Sequence, residues 1–241
     1  MRLQGRKALV TGAAGGIGAA IVRKLQAEGA VVCGTDRETS GIVADFAIAA
    51  ELMDGSACDE LPARAEALMG GLDTVINNAG IITRGKLTEA TDEDFARSMA
   101  INVEAPMRIC RAAIPILPPG SSIVNTASCW GVHPGPNHPI YVMSKAAIAS
   151  LTQCLGIDHA ADGIRVNAVC PNEVNTPMLR TGFATRGLDP DQAIETLNTS
   201  VPLGRIAEPE DIADVVAFLA SDEARYICGA LIEVNGAKAV S

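Results

Sequence analysis

The chain predicts a doubly wound α/β domain, a single unit over residues 1–241 built on a parallel sheet of about seven strands flanked by helices. Three observations point there. Strand-like and helix-like hydrophobic periods alternate about seven times, with no internal repeat and no low-complexity linker. A glycine-rich turn separates the first apolar run from the first amphipathic one. The composition is 48% apolar but only 3% aromatic, with 23 glycines, which suits buried parallel strands closely covered by helices.

The elements follow in order. Lys7 to Thr11 (KALVT) is a short apolar strand, and residues 16–28 carry Ile17, Ile21, Val22 and Leu25 at helical spacing before Gly29 stops the helix. Residues 30–35 form a second strand. Parallel strands need a crossover of about a dozen residues. Ile42 to Asp45 follows too closely, so the third strand is expected at Glu51 to Asp54 (ELMD), after a short helix around 41–50. A helix near 59–69, a strand at 72–76, helices over 92–113 and a strand at 122–127 continue the alternation. A long alanine-rich helix (140–161) and a strand (165–170) come next. Residues 177–202 read as irregular or weakly helical, a substrate lid, because long loops in small domains are usually binding elements. Pro209 opens a helix with Ile212, Val215, Val216 and Leu219 on one face, and Leu231 to Val234 is the last strand.

Charge and cysteine content exclude several functions. With 19 Lys plus Arg against 28 Asp plus Glu, the net charge of −9 and the lack of a basic cluster argue against nucleic acid and anionic membranes as partners. The seven cysteines show neither disulfide nor zinc spacing and read as small buried hydrophobes. Neither a signal-peptide apolar region nor an uninterrupted apolar run of about 18 residues is present, so a soluble cytoplasmic protein is expected.

The turn reads Thr11-Gly12-Ala13-Ala14-Gly15-Gly16-Ile17-Gly18. Glycines there let the backbone approach a pyrophosphate, which the N–H groups and dipole of the helix N-terminus hold. Asp36 follows Gly18 by 18 residues, where a carboxylate accepts hydrogen bonds from adenosine ribose hydroxyls and repels a 2′-phosphate. NAD is therefore expected over NADP, although Arg37 could pair with such a phosphate. Asp54 could accept from the adenine amino group, with Asp45 as the competing candidate.

Tyr141 and Lys145 are four apart on a predicted helix and so share a face. A nearby ammonium stabilises a phenolate, which makes a tyrosine able to exchange a proton with an alcohol or carbonyl oxygen. Ser128 lies 13 residues earlier, just past a strand, at the carboxyl edge of the sheet where it could bond the same oxygen. Asn102 is a polar residue among apolar ones and could hold a proton-relaying water.

Together these residues resemble the short-chain dehydrogenase/reductases in their common single-domain form. The similarity runs nearly end to end, through Thr11-Gly-x-x-x-Gly16-x-Gly18, Asn77-Asn78-Ala79-Gly80, Asn102, Ser128, Tyr141-x-x-x-Lys145 and Pro171 with Val174 and Thr176. The resemblance implies a Rossmann-like fold and an NAD(P)-linked enzyme without a metal, akin to sugar or polyol dehydrogenases and 3-oxoacyl reductases. Tyr141 would be the general acid/base, and Lys145 would lower its pKa and hold the nicotinamide ribose. Ser128 would orient substrate, Asn102 the relay water, and Asn78, Ala79 and Gly80 would line the adenine-ribose side. Pro171, Val174 and Thr176 would flank the nicotinamide. A homotetramer is also implied.

Two departures stand out. The family's usual Pro-Gly is Pro171-Asn172-Glu173 here, and its Asp-Gly-Gly is Asn235-Gly236-Ala237. Glu173 could accept bonds from substrate hydroxyls, Trp130 could stack on substrate or wall the pocket, and Arg180 or Arg186 could pair with a substrate anion. The expected substrate is a small polar alcohol or ketone such as a sugar, sugar acid or polyol. A 3-oxoacyl-(acyl carrier protein) reductase and a non-catalytic dinucleotide-binding regulator are the alternatives. His133 and His138 read as ordinary loop residues.

Overall fold

Along the first strand Ala8 and Val10 face one core while Leu9 faces the other, the signature of a strand buried on both sides. A computed structural model describes residues 1–238. The elements are β1 (Lys7–Thr11), α1 (Gly16–Ala27), β2 (Val31–Asp36), β3 (Phe46–Ala49), α2 (Gly55–Met69), β4 (Thr74–Asn77), α3 (Asp92–Met99) and α4 (Ala105–Ala113). They continue with β5 (Ser122–Thr126), α5 (Cys129–Val132), α6 (Pro139–His159), β6 (Arg165–Pro171), α7 (Pro177–Ala184), α8 (Pro190–Thr199), α9 (Pro209–Ala220) and β7 (Leu231–Val234). The seven strands pair in parallel in the order β3-β2-β1-β4-β5-β6-β7. The order reverses between β1 and β4, and the crevice outside their carboxyl ends is where such sheets bind ligands.

Helices α1 and α9 cover one face through Ile21, Leu25, Ile212 and Val216, and α2 and α4 cover the other through Leu61, Ala65 and Ile109. Helix α6 continues that second layer over β5 and β6, with Ile148 and Ala149 against Ala168 and Cys170. Its mean hydropathy of 1.3 would suffice to cross a membrane by length and composition, but one face of it, with Ile148 and Ala149, packs on the sheet. A buried polar chain fixes its position. Asn77 Nδ2 donates to Asn125 Oδ1 (2.9 Å), Asn125 Nδ2 to Thr152 Oγ1 (2.9 Å), and Thr152 to the Ile148 carbonyl (2.8 Å).

Two expectations need correction. The third strand is Phe46–Ala49, and the connection before it, residues 37–45, contains no helix. Ile42 and Ala44 of that loop pack on the core and supply the cover a helix would give, while Asp45 accepts from the Val32 N–H at 2.9 Å. The predicted strand Glu51 to Asp54 is a loop, because Asp54 instead caps α2 by accepting from the Ser56 N–H. Residues 177–202, expected irregular or weakly helical, hold two short helices, α7 and α8, capped by Thr176 and Asp189 with a proline in each first turn.

Thr152→Val preserves shape but leaves Asn125 Nδ2 buried without its acceptor. Denaturant unfolding should show a loss of about 1–3 kcal/mol; an unchanged midpoint would show that the polar chain does not hold α6.

Candidate active site

The glycine turn is a backbone-to-backbone contact. Gly12 has φ +65°, the left-handed region, and a Cβ on Gly18 would stand 2.0 Å from the Gly12 carbonyl oxygen. The end of β4 locks this turn from the other side of the crevice. Asn78 Nδ2 donates to the carbonyls of Thr11 (3.0 Å) and Gly12 (3.3 Å), and Thr11 Oγ1 accepts from the N–H groups of Asn78 and Ala79. Gly15 begins α1 with no side-chain cap, so helix N–H groups and dipole face outward.

Over this turn lies a cleft of about 780 Å³, bounded by Gly12, Gly15 to Gly18, Asp36, Arg37, residues 50–53, Asn78 to Ile81 and Thr176. A dinucleotide fits this cradle, since a side chain on Gly12 or Gly18 would meet backbone and close it. Asp36, at the end of β2, accepts from the N–H groups of Ala14 (3.2 Å) and Arg37 (2.9 Å) and borders the cleft. Neither candidate for the adenine contact does so. Asp54 is occupied as a helix cap and Asp45 is tied to Val32 and Gln26 at the opposite end of β2, whereas Glu51, Leu52 and Met53 form that wall.

A second cavity of about 330 Å³ adjoins the first through Ile17, Asn78, Gly80, Ile81 and Met178. Ser128, Tyr141 and Lys145 line it, with Trp130, Pro171, Glu173 and Val174. Ser128 caps α5, its Oγ accepting from the Trp130 N–H at 3.2 Å. Tyr141, in the first turn of α6, has its phenol pKa raised by burial, while a hydrogen bond with Ser128 and the positive charge of Arg84 act in the opposite direction. Lys145 Nζ lies 5.9 Å from the Tyr141 ring centre and donates to the Thr126 carbonyl at 2.7 Å. Burial pushes the Lys145 pKa down to about 8. Lys145 is thus held against β5 with its ammonium 5.9 Å from the Tyr141 ring centre, itself desolvated.

Asn102 stands in a widened helical turn, Ala100–Glu104, and both its amide hydrogens are used, on the Ile81 carbonyl (2.9 Å) and Ser144 Oγ (3.0 Å), while its Oδ1 accepts from the Ile81 N–H. Its side chain clamps the strand exit to α6. Thr176 caps α7 beside Gly16, and Val174 is bridged to Ala207.

Residues 12–236 match a family model described as enoyl-(acyl carrier protein) reductase. The chain is 34% identical to the meso-2,3-butanediol dehydrogenase of Serratia marcescens, over 100% of this chain and 97% of that protein. It is 36% identical to a 4-formylbenzenesulfonate dehydrogenase of Comamonas testosteroni, over 99% of each. It belongs to the short-chain dehydrogenase/reductases. Among solved structures, the Thermoplasma acidophilum aldohexose dehydrogenase superposes with TM-score 0.92 at 30% identity, covering 97% of this chain and 94% of that one. A blue fluorescent protein from a metagenomic library, in complex with NADPH, gives 0.90 at 34%, covering 99% and 100%.

In this short-chain dehydrogenase/reductase the substrate end of the cavity departs from what the sequence suggested. Glu173 borders it, but its carboxylate is held by Lys238 Nζ at 2.7 Å. Arg180 is not on the wall, since it pairs with Asp191 (2.8 Å) and Asn175 (3.0 Å) and ties α7 to α8. Trp130 is on the wall, its ring 4.5 Å from that of His138 and 6.4 Å from Tyr141. Arg84, which motif and spacing did not single out, lines the cavity together with Arg186 and His138. The one cue to Arg84 was its place a few residues beyond Asn78 to Gly80.

Lys145→Met should stabilise the protein without added nucleotide by up to about 3 kcal/mol below pH 8, where the buried ammonium carries its full penalty. Between the folded pKa of about 8 and the ordinary 10.5 the folded chain has released the proton that the unfolded chain keeps, so the advantage should fade across that window. Unfolding curves at pH 7, 8.5 and 10 measure this; a pH-independent difference would contradict it.

Proposed function

We propose that this chain is an NAD-dependent dehydrogenase interconverting a secondary alcohol and a ketone on a small polar substrate. The observation that carries this reading is the meeting of Ser128, Tyr141 and Lys145 in a cavity that opens into the nucleotide cleft at the strand-order reversal. A bound nicotinamide supplies hydride acceptance or donation, and the chain's residues position it and manage one proton. Gly12, Gly15 to Gly18 and Asp36 hold the adenosine and pyrophosphate part, with Pro171, Val174 and Thr176 beside the nicotinamide. Ser128 Oγ bonds the substrate oxygen, and Tyr141 takes the alcohol proton or returns it to the carbonyl. Phenolate formation depends on Ser128 and on cationic charge from Arg84 and Lys145.

Support for NAD over NADP comes from the Asp36 carboxylate at the ribose position, where a 2′-phosphate would meet a negative charge. The NADPH in the metagenomic relative makes this the point to test first. The name of the butanediol dehydrogenase relative supports a secondary alcohol. The sugar, sugar acid or polyol expected from Glu173 loses its main support, because that carboxylate is paired with Lys238.

Tyr141→Phe should reduce kcat by about 100-fold or more while nucleotide affinity stays near normal; turnover at the unmodified rate removes Tyr141 from the chemistry. Asp36→Ala should weaken NAD binding and raise the NADP to NAD ratio of kcat/KM. A preference of the unmodified protein for NADP would overturn the cofactor assignment.

A further inference from the structure

We infer that the substrate carries an oxyanion head group, a carboxylate or sulfonate, which Arg84 and Arg186 clamp at the far end of the catalytic cavity. This rests on the dehydrogenase reading of the cavity and adds to it the chemical class of the substrate. Arg84 comes from the segment after β4 and Arg186 from the turn after α7, yet both line the same cavity as Tyr141. One residue seats both. Arg84 Nη2 lies only 2.6 Å from where a Cβ of Gly182 would stand, and Arg186 Nε donates to the Gly182 carbonyl at 2.8 Å. The Arg186 guanidinium also stacks over the Phe183 ring at 4.9 Å, which fixes its plane.

Charge makes the case for an anion. Among the described residues no carboxylate pairs with either arginine, in contrast to Arg180, which Asp191 neutralises. Glu173, the one carboxylate on the wall, is neutralised by Lys238, and Lys145 adds a further cation. A protein of net charge −9 thus keeps a positive cavity. The two arginines oppose one another, and burial and Arg186 both lower the Arg84 pKa. His138 adds no charge, because burial and the same two arginines lower its pKa. An anion between the guanidinium groups relieves that repulsion and accepts charge-assisted hydrogen bonds from both. The remaining wall is apolar, with Ile82, Trp130, Met178, Leu179, Phe183 and Leu197, so the body of the substrate between the anion and the reacting oxygen is hydrocarbon or ring.

The test compares 4-oxocyclohexanecarboxylate with the similarly sized, uncharged 4-oxocyclohexanecarboxamide. Trp130 is the single tryptophan and stands on the cavity wall, so its fluorescence reports binding without turnover. Oxidation of reduced nucleotide reports chemistry on the same pair. The unmodified protein should bind the carboxylate roughly 10- to 100-fold more tightly than the amide. Arg84→Ala and Arg186→Ala should each lower that ratio, and the double variant should bring it near one. Gly182→Ala should also lower it, because the new Cβ displaces the Arg84 guanidinium. Alanine is favoured over glycine within a helix, so its Tm should not fall. Equal affinity for the two probes, no binding of either, or a preference that survives in the double variant overturns the clamp. Carboxylate-selective fluorescence without nucleotide oxidation upholds the clamp and counts against the dehydrogenase reading. Equal turnover of both ketones does the reverse.

Discussion

Everything in the site is referenced to the clasp between the ends of β1 and β4. Asn78 reaches across the crevice to the Thr11 and Gly12 carbonyls, and the absence of side chains on Gly12 and Gly18 lets helix and strand close to backbone contact. From there a continuous line of hydrogen bonds runs to the catalytic helix. Ile81 is held at both its N–H and its carbonyl by Asn102, Asn102 donates to Ser144, and Ser144 donates to the carbonyl of Tyr141 at 2.8 Å. The glycine turn and Tyr141 are thereby held in one hydrogen-bonded frame. Positioning of this kind is what proton and hydride transfer demand.

The electrostatics run against the groups as they stand. Tyr141 is harder to ionise than a free phenol, and Lys145 is a cation that burial disfavours. The buried ammonium costs stability and is relieved by partners that bring negative charge into the cavity, whereas the neutral phenol carries its cost only when it ionises. Ser128 is built into the same wall, since its Oγ caps α5 by accepting from the Trp130 N–H while the side chain lines the cavity with Tyr141. A single local feature of the backbone therefore serves folding and chemistry together.

Most of the fold was legible because its signals are periodic. The strands at Lys7–Thr11 and Leu231–Val234 and the helix opening at Pro209 stand where hydrophobic spacing places them. The third strand was not legible, since FAIA is a short run on an edge and its covering loop carries no helical period. Asp54 was misread for the same reason, because a carboxylate before a helix looks like a ligand contact until its own helix claims it. Ser128, Tyr141 and Lys145 were readable from spacing within neighbouring elements. Arg84 was not, as its partners, Gly182 and Arg186, lie about a hundred residues further along and meet it only through the fold.

The two ends of the cavity belong to different cores. Tyr141, Ser128 and Lys145 stand on the sheet and its packed helices, with Ser128 and Lys145 buried and Tyr141 partly so. Phe183 and the residues behind it form a small separate cluster with Ile194, Val201 and Ile206, packed by Leu179 and Leu197 of α7 and α8. That satellite core meets the end of the sheet through the Val174 to Ala207 bridge and the Leu203 N–H to Gly236 carbonyl bond. Small clusters with few buried apolar contacts open at lower free energy than a central sheet. Tyr141, Ser128 and Lys145 are thus anchored to the central sheet and its helices, and the Phe183 and Arg186 wall to the smaller cluster, so changes in α7 and α8 alter that wall while leaving the sheet-borne side chains in place.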